Sequence, residues 1–474
     1  MPKQELYHIR PLGWENDDED ERIPLSLLDY MTACTWNNYV LFFRLDDADK
    51  SYMVDVLKNG LERTLSQARH LCGTIEKDAH GWHSFLKRRH SAVDFHVQWL
   101  DAAEDRFPTF DELESRNFSS QALGNLRLWS VPEMMHGIKP EAHVDRKPKV
   151  AAFKANFVRG GLVFNMHHHH CANDVMGWAS FTHQLAENCY AIVKNATFPT
   201  WNPSCLDRSR FIRKEVPEEA KTDAPPAREN HPDLRPIDLL LFRLPLSKAA
   251  RLKKMAMPKD GSWISTYDAF SAFIWRTFSR LRVPVFKPDM SSPLSWGEAV
   301  DMRRRVNSPP CPPRTQGNIM SGVMSAMSKG PLRQPTTAEV ISDSSLSELA
   351  LFIRQLTNGV TQEDLDKRLD MVATFRDKTN LFFRTDVVSP MSIFMTDWRA
   401  TDIAAADFGL AKPVAFRHHS EMVTRCIVQV YPPRAGTDGS EDRYDFAVTY
   451  EKDLAKDLIE DPEWSAYFEY RGLV

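Results

Sequence analysis

Residues 160–177 read Gly160-Gly161-Leu162-Val163-Phe164-Asn165-Met166-His167-His168-His169-His170-Cys171-Ala172-Asn173-Asp174-Val175-Met176-Gly177. An apolar run enters four histidines, and an aspartate follows four positions after the last. A helical pattern then starts, with Trp178, Phe181, Leu185 and Ile192 on one stripe. Upstream, Phe153, Ala155 and Phe157 alternate with Lys154, Asn156 and Val158, and Arg159-Gly160-Gly161 supplies a turn. The pattern predicts a hairpin over 148–170 that hands directly into a helix. Leu162, Phe164, Met166, His168 and His170 then share one side of the return strand. A histidine where a strand turns sharply can present its imidazole to a substrate as a general base. His170 is the candidate.

Spacing alone is a weak signal. With 16 histidines in the chain, about one chance His-x-x-x-Asp match is expected. His90-Ser91-Ala92-Val93-Asp94 is such a match, inside an extended stretch with no following switch to helix. At the strand-to-helix junction, Asp174 reads as an organiser that binds an arginine or backbone N–H groups and fixes the loop. Two rival readings of the histidine tract are open. His168 and His170 could share a Zn2+, but no third ligand is evident, so no metal is expected. Cys171 could be a nucleophile, but adjacent strand residues point to opposite faces, which separates it from His170.

Working outward, 474 residues are too many for one ordinary core, and two or three domains are expected. After the strand at Tyr39–Leu45, residues Val54, Leu57, Leu61, Leu65 and Ala68 recur at helical spacing. The first twenty residues are polar and read as peripheral. Residues 206–236, rich in Pro, Glu, Lys and Asp, read as a crossover between an N-terminal domain at 1–205 and a C-terminal domain at 237–474. The second half offers strands at 237–244, 297–304, 319–326, 391–398, 423–431 and 443–450. Ser265 to Asp268 is a capping box for a helix, and further helices fall near 345–357 and 361–375. The irregular alternation predicts an α/β protein with mixed sheets.

A net charge of -4 excludes a dedicated nucleic-acid binder. Seven scattered cysteines without a CxxC pair exclude a disulfide framework and fit a reducing compartment. No apolar run reaches membrane-spanning length, and the N-terminus lacks a basic-then-apolar signal, so the expected location is cytoplasmic.

Four elements in order resemble the BAHD acyltransferases, in particular their fungal secondary-metabolism branch related to trichothecene 3-O-acetyltransferase-like enzymes. His169-His170-Cys171-Ala172-Asn173-Asp174 matches the family's His-His-x-x-x-Asp. Ser265-Thr266-Tyr267-Asp268 through Trp275 resembles its ST-x-D helix, and Val300-Asp301-Met302-Arg303-Arg304-Arg305 with Gly317-Asn318 resembles its VD-x-R-x-R and GN segment. Asp407-Phe408-Gly409-Leu410-Ala411-Lys412-Pro413 is similar to the second hallmark, Asp-Phe-Gly-Trp-Gly-Lys-Pro. Two departures stand out: Val175 follows Asp174 where the family usually has glycine, and Leu410-Ala411 replaces Trp-Gly.

The resemblance implies two chloramphenicol-acetyltransferase-like domains with the active-site tunnel between them, acyl-CoA entering from one side and a small-molecule alcohol from the other. It implies acetyl-CoA as co-substrate rather than a permanently bound cofactor, and a monomeric enzyme. His170 would be the catalytic base, with Asp174, His169 and Gly177 supporting the loop. Thr396 and Trp398 match a Thr-x-Trp element that could contact the oxyanion or the acceptor. Asp407 would form a structural ion pair with Arg303. Arg304, Lys412, Arg417 and Arg434 are the basic residues considered for the CoA 3′-phosphate, with none singled out. Three functions follow from the pattern: acyl-CoA-dependent O-acyl or N-acyl transfer, a repurposed site where His170 moves protons without CoA, and a binding module with a decayed site.

Overall fold

The computed structural model describes residues 2–78, 81–102, 104, 106–226, 228–327, 332–379, 381–434 and 441–474. The first half supplies strands β1 (Gln4–Ile9), β2 (Asp20–Pro24), β3 (Trp36–Arg44), β4 (Thr74–Lys77), β5 (His83–Arg88), β6 (Val93–Trp99), β7 (Ala151–Val158) and β8 (Gly161–His169). The second half supplies β9 (Ile237–Pro245), β10 (Trp296–Asp301), β11 (Met320–Met324), β12 (Ile393–Asp397), β13 (Pro413–His418), β14 (Ile427–Val430), β15 (Arg443–Glu451) and β16 (Glu469–Leu473).

A six-stranded sheet runs β1-β6-β7-β8-β3-β13. Every residue of β7 and β8 is buried, as is all of β3 except Arg44. Both faces are therefore covered, which is why these strands read as near-continuous apolar runs. Helices α1 (Lys50–Gln67) and α2 (Val175–Lys194) cover one face. On the other, Phe110, Leu113, Phe118 and Trp129 pack on Val40, Phe42 and Val163.

The N-terminal residues are not peripheral. β1 pairs antiparallel with β6, from Gln4 opposite Gln98 to Ile9 opposite Val93. It is an edge strand with one wet face, and its polar composition reflects that position.

A seven-stranded mixed sheet runs β11-β10-β12-β14-β15-β9-β16, with β12 parallel to both β10 and β14. Helices α3 (Leu246–Ala256), α4 (Thr266–Phe286), α5 (Leu346–Asn358) and α6 (Gln362–Thr374) belong to this half. The Ser265–Asp268 capping box is formed, the serine hydroxyl accepting the Asp268 N–H and the carboxylate accepting the Ser265 N–H. A small sheet, β2-β5-β4, completes the set.

The two halves interlock. β13 leaves the second half and pairs antiparallel with β3, placing His418 opposite Tyr39. A side chain from beyond residue 400 therefore stands beside the end of β3, next to the histidine tract. The mixed α/β architecture follows the pattern read from the sequence; the strand exchange has no local signature there.

Candidate active site

β3 and β8 pair in register from Arg44–Gly161 to Trp36–His169, and the His170 N–H continues the ladder to the Thr35 carbonyl at 2.8 Å. The chain then turns. Asp174 caps α2 by accepting the Gly177 N–H at 2.8 Å. A Cβ on Gly177 would lie 2.5 Å from Asn173 Oδ1 and 2.8 Å from the Gly317 carbonyl, so only glycine fits.

The four histidines have different fates. His167 is buried, its Nδ1 donating to the Met134 carbonyl and its Nε2 accepting the Val131 N–H. His168 lies in the core, its ring 5.1 Å from Phe181 and 5.8 Å from Phe153. His169 accepts the Cys171 N–H on Nδ1, which leaves its Nε2 protonated to donate to the Ala142 carbonyl at 2.9 Å. Burial pushes the pKa of these three down to about 3, 3 and 4 respectively. His170 alone of the tract is partly exposed. Its Nδ1 is buried without a hydrogen-bond partner. Burial lowers the His170 pKa below 6.5, opposed by its own carbonyl, Asp174, Asn318 and Asp29.

Asp174 is fully committed. Arg303 Nη2 donates to Oδ1 at 2.9 Å and Nη1 to Oδ2 at 3.0 Å, and the Ile319 N–H adds a bond to Oδ2 at 2.9 Å. Arg303 also binds Asp301 and the carbonyls of Thr315 and Gly317. The expected Asp407–Arg303 pair is therefore not formed. Asp407 instead lies 3.7 Å from Lys412 and caps its own loop through the Gly409 N–H. That loop packs on the far end of α2, where a Cβ on Gly409 would meet Val193 at 2.7 Å. Arginine selection fails here because Asp174, buried beside Arg303, offers both oxygens in a forked geometry.

Val175 is the first residue of α2 and packs on the core, as do Leu410 and Ala411. Cys171 is buried, and its pairing with the Cys34 thiol, together with burial, holds its pKa well above 9.0, which removes it as a nucleophile. Among the described residues no group of three or more His, Cys, Asp or Glu side chains could hold a metal ion.

Asp29, Arg208, His136 and His418 carry no local sequence signal, and Asn318 is marked only as part of the GN segment. Asn318 Nδ2 donates to the His170 carbonyl at 2.8 Å and to Asp29 Oδ1 at 2.9 Å. Arg208, from the stretch read as a crossover, binds Asp29 Oδ2 at 2.9 Å and the Ala172 carbonyl at 2.7 Å. His418 of β13 lies 4.7 Å, ring to ring, from His136 and 5.5 Å from both Tyr39 and Trp398. The Trp398 indole N–H donates to Thr396 Oγ1 at 2.8 Å. Arg417 and Arg434 are buried, Arg417 on Asp445 and Arg434 on Glu114, which removes both as ligands for an incoming phosphate.

The Transferase family model matches residues 114–452, and a trichothecene 3-O-acetyltransferase-like N-terminal domain model matches 36–189. The chain belongs to this family of BAHD acyltransferases, in its fungal branch. Acetyltransferase FGR3 of Gibberella zeae is 58% identical across 100% of this chain and 95% of its own length. Eremophilane O-acetyltransferase ORF8 of Penicillium roqueforti is 21% identical over 94% of this chain and 98% of its own. In fold, this BAHD chain resembles F. sporotrichioides TRI101 with coenzyme A and T-2, at a TM-score of 0.75, 22% identity and 95% and 100% coverage of the two chains. Vinorine synthase matches at a TM-score of 0.68 and 18% identity, over 96% of each chain. The protein is an enzyme that transfers acyl groups.

Proposed function

We propose that the protein transfers an acetyl group from acetyl-CoA to a hydroxyl of a small secondary metabolite, with His170 as general base. The observation that carries this is the split environment of His170, with Nδ1 buried without a hydrogen-bond partner in a ring that is the only partly exposed one of the tract. A neutral imidazole held this way can take a hydroxyl proton as the oxygen attacks the thioester carbonyl, then pass it to the departing CoA sulfur. Acceptor and thioester meet in one complex, so no acyl-enzyme is needed. The oxyanion would find its donor in Thr396. Trp398 supplies the proton that Thr396 Oγ1 accepts, which leaves the threonine hydroxyl hydrogen free to point elsewhere.

For the donor, a groove of about 430 Å³ between α3 and the start of α4 is lined by Ala250, Lys253, Lys254, Thr266 and Tyr444 among others. Trp263 stands beside it, 56% exposed, with Lys253 and Arg354 at 5.3 and 4.4 Å from its ring. Lysines next to an exposed indole suit a phosphorylated nucleotide. Arg399 links this groove to the reaction centre. It lies 5.1 Å from the Tyr444 ring and binds both oxygens of Asp397, the residue between Thr396 and Trp398. The names of relatives support an alcohol as acceptor, since eremophilane and trichothecene O-acetyltransferases are among them.

The test is purified protein with acetyl-CoA and a panel of hydroxylated fungal sesquiterpenoids and polyketides, reading acceptor-dependent CoA release and product mass. His170→Ala should lose at least about a hundredfold in turnover while keeping its fold, the lower range for removing a general base. Undiminished turnover in that variant would sink the assignment.

A further inference from the structure

The backbone of His170 is held by the Asn318 amide, to which the GN resemblance assigns no role. Asn318 Nδ2 touches two acceptors, the His170 carbonyl at 2.8 Å and Asp29 Oδ1 at 2.9 Å. Neither can donate, so the nitrogen of the carboxamide must face them and the oxygen must face away. Asp29 is completely buried, and its other oxygen is held by Arg208 Nη1 at 2.9 Å and the Ser26 N–H at 2.8 Å. Its carboxylate cannot rotate away to release the amide. Arg208 also grips the Ala172 carbonyl at 2.7 Å, inside the turn that carries His170. A Cβ on Gly317, whose φ is +100°, would meet Arg208 Nε at 3.3 Å, so the guanidinium lies directly under the residue preceding Asn318.

Two polar atoms in this assembly are buried without a partner of ordinary hydrogen-bond geometry: Asn318 Oδ1 and His170 Nδ1. They belong to residues already in contact. Buried polar groups that stay unpaired cost free energy, so two such atoms on touching residues call for a joint explanation. We propose that Asn318 is a positioning residue for His170: its Nδ2 holds the His170 carbonyl, its Oδ1 receives the ring Nδ1–H, and Asp29 with Arg208 fixes the amide. The consequence is a single tautomer, with the proton on Nδ1 and the lone pair on Nε2 facing the cleft. This inference rests on His170 acting as a base through Nε2.

Direct observation of the tautomer keeps the proposal separate from that reading. Protein labelled with 15N-histidine, with His170→Ala to assign the signals, reports both the tautomer and the titration of His170 without any substrate. The groups that share its field are His136 and His418 across the cleft, His169 behind it, and Asp174, Asp29 and Arg208 below. Wild type should show the Nδ1–H form. Asn318→Ala should mix the tautomers and move the His170 titration to lower pH, because the lost oxygen stabilises the imidazolium. Its kcat for acetyl transfer should fall by about tenfold to a hundredfold with KM for acetyl-CoA within about twofold, as expected for losing a group that orients an imidazole. An Nε2–H tautomer in wild type overturns the proposal, even if the variant fails to fold. So does a folded Asn318→Ala protein with unchanged tautomer and titration, whatever its kcat. If wild type holds the Nδ1–H form through Asn318 yet turns over no acyl-CoA, positioning stands and the proposed function falls.

Discussion

Arg303 meets Asp174 with both arms of its guanidinium, at 2.9 and 3.0 Å, and the pair joins the loop after His170 to the segment that follows β10. Each Asp174 oxygen also accepts one backbone N–H, from Gly177 on one side and Ile319 on the other. All four strong acceptor sites of the carboxylate are used. Asp174 therefore has no acceptor site left for an imidazole or a substrate, and it acts on His170 through the three-residue turn between them and through its charge. Arg208 and Asp29 form a second clamp on the same turn.

Removing Asp174 should cost fold rather than chemistry alone. Its side chain is 8% exposed and that of Arg303 9%, and breaking such a buried pair from one side typically costs about 3–5 kcal/mol. Urea denaturation of Asp174→Ala should show this. Burial alone would raise the Asp174 pKa, but Arg303 and the Gly177 and Ile319 N–H groups hold it below 3.8. The stabilisation is thus fully present above the unfolded carboxylate range and is lost as pH falls through the lower folded value. Arg303→Ala removes the guanidinium and keeps the burial, so its acid unfolding should begin at higher pH than that of wild type.

Asp407 should behave differently. Its contact with Lys412 is 3.7 Å long, with side chains 38% and 58% exposed, and exposed pairs contribute about 0–1 kcal/mol. Asp407→Ala should therefore cost about 2 kcal/mol or less, including the bond to the Gly409 N–H. A loss comparable to that of Asp174→Ala would mean that this loop carries a load its contacts do not explain.

The contrast shows what the sequence could and could not convey. The β7–β8 hairpin, α2 and the Ser265 capping box are local patterns, and a period or a cap announces each one. His170 stood out because a strand ended and a helix began around it. Nothing local says which arginine an aspartate will choose: the resemblance points Arg303 to Asp407, and the fold gives it to Asp174. Asp29, Arg208 and Asn318 meet from three distant stretches; Asp29 and Arg208 look ordinary where they stand, and the GN segment marks Asn318 without saying what it touches. β13 is absent from the strands the pattern offers in the second half, and its departure to the other sheet is a tertiary choice. β1 carries little apolar signal because an edge strand with one wet face is mostly polar.

The pH profile reports the state of His170. Burial holds its pKa below 6.5 against the pull of its own carbonyl, Asp174, Asn318 and Asp29. A base must be neutral to accept a proton, so the acid limb of kcat/KM should lie below pH 6.5. His136, down to about 4, and His418 stay neutral over the same range and should not add a limb of their own. An acid limb above 6.5 would mean that another group governs the reaction.

The groove beside α3, with Lys253 and Lys254 in an otherwise mostly apolar lining, predicts a binding defect. Lys253→Ala with Lys254→Ala should raise KM for acetyl-CoA severalfold while kcat falls less, because these lysines would hold parts of the donor that do not react. Dephospho-acetyl-CoA should feel the double variant less than acetyl-CoA if the 3′-phosphate sits there. Equal KM for both proteins with both donors would move the nucleotide elsewhere.

Thr396 and Trp398 can be ranked by who donates to whom. Trp398 Nε1 donates to Thr396 Oγ1 at 2.8 Å. The indole hydrogen is thereby spent, and only the threonine hydroxyl retains one to aim at a developing oxyanion. Thr396 sits partly exposed on β12, between the buried Met395 and the end of the strand, so the hydroxyl can reach the cleft. Thr396→Val keeps the shape, deletes that donor and leaves the indole N–H unpaired. It should lower kcat by about 10²–10³, the range for losing one oxyanion donor, with little change in KM. Trp398→Phe leaves the hydroxyl in place and removes only the bond that orients it, so its loss should be smaller. Steady-state kinetics of the two variants decides the order. If Trp398→Phe costs as much as Thr396→Val, the indole itself reaches the oxyanion and the relay through Thr396 is wrong.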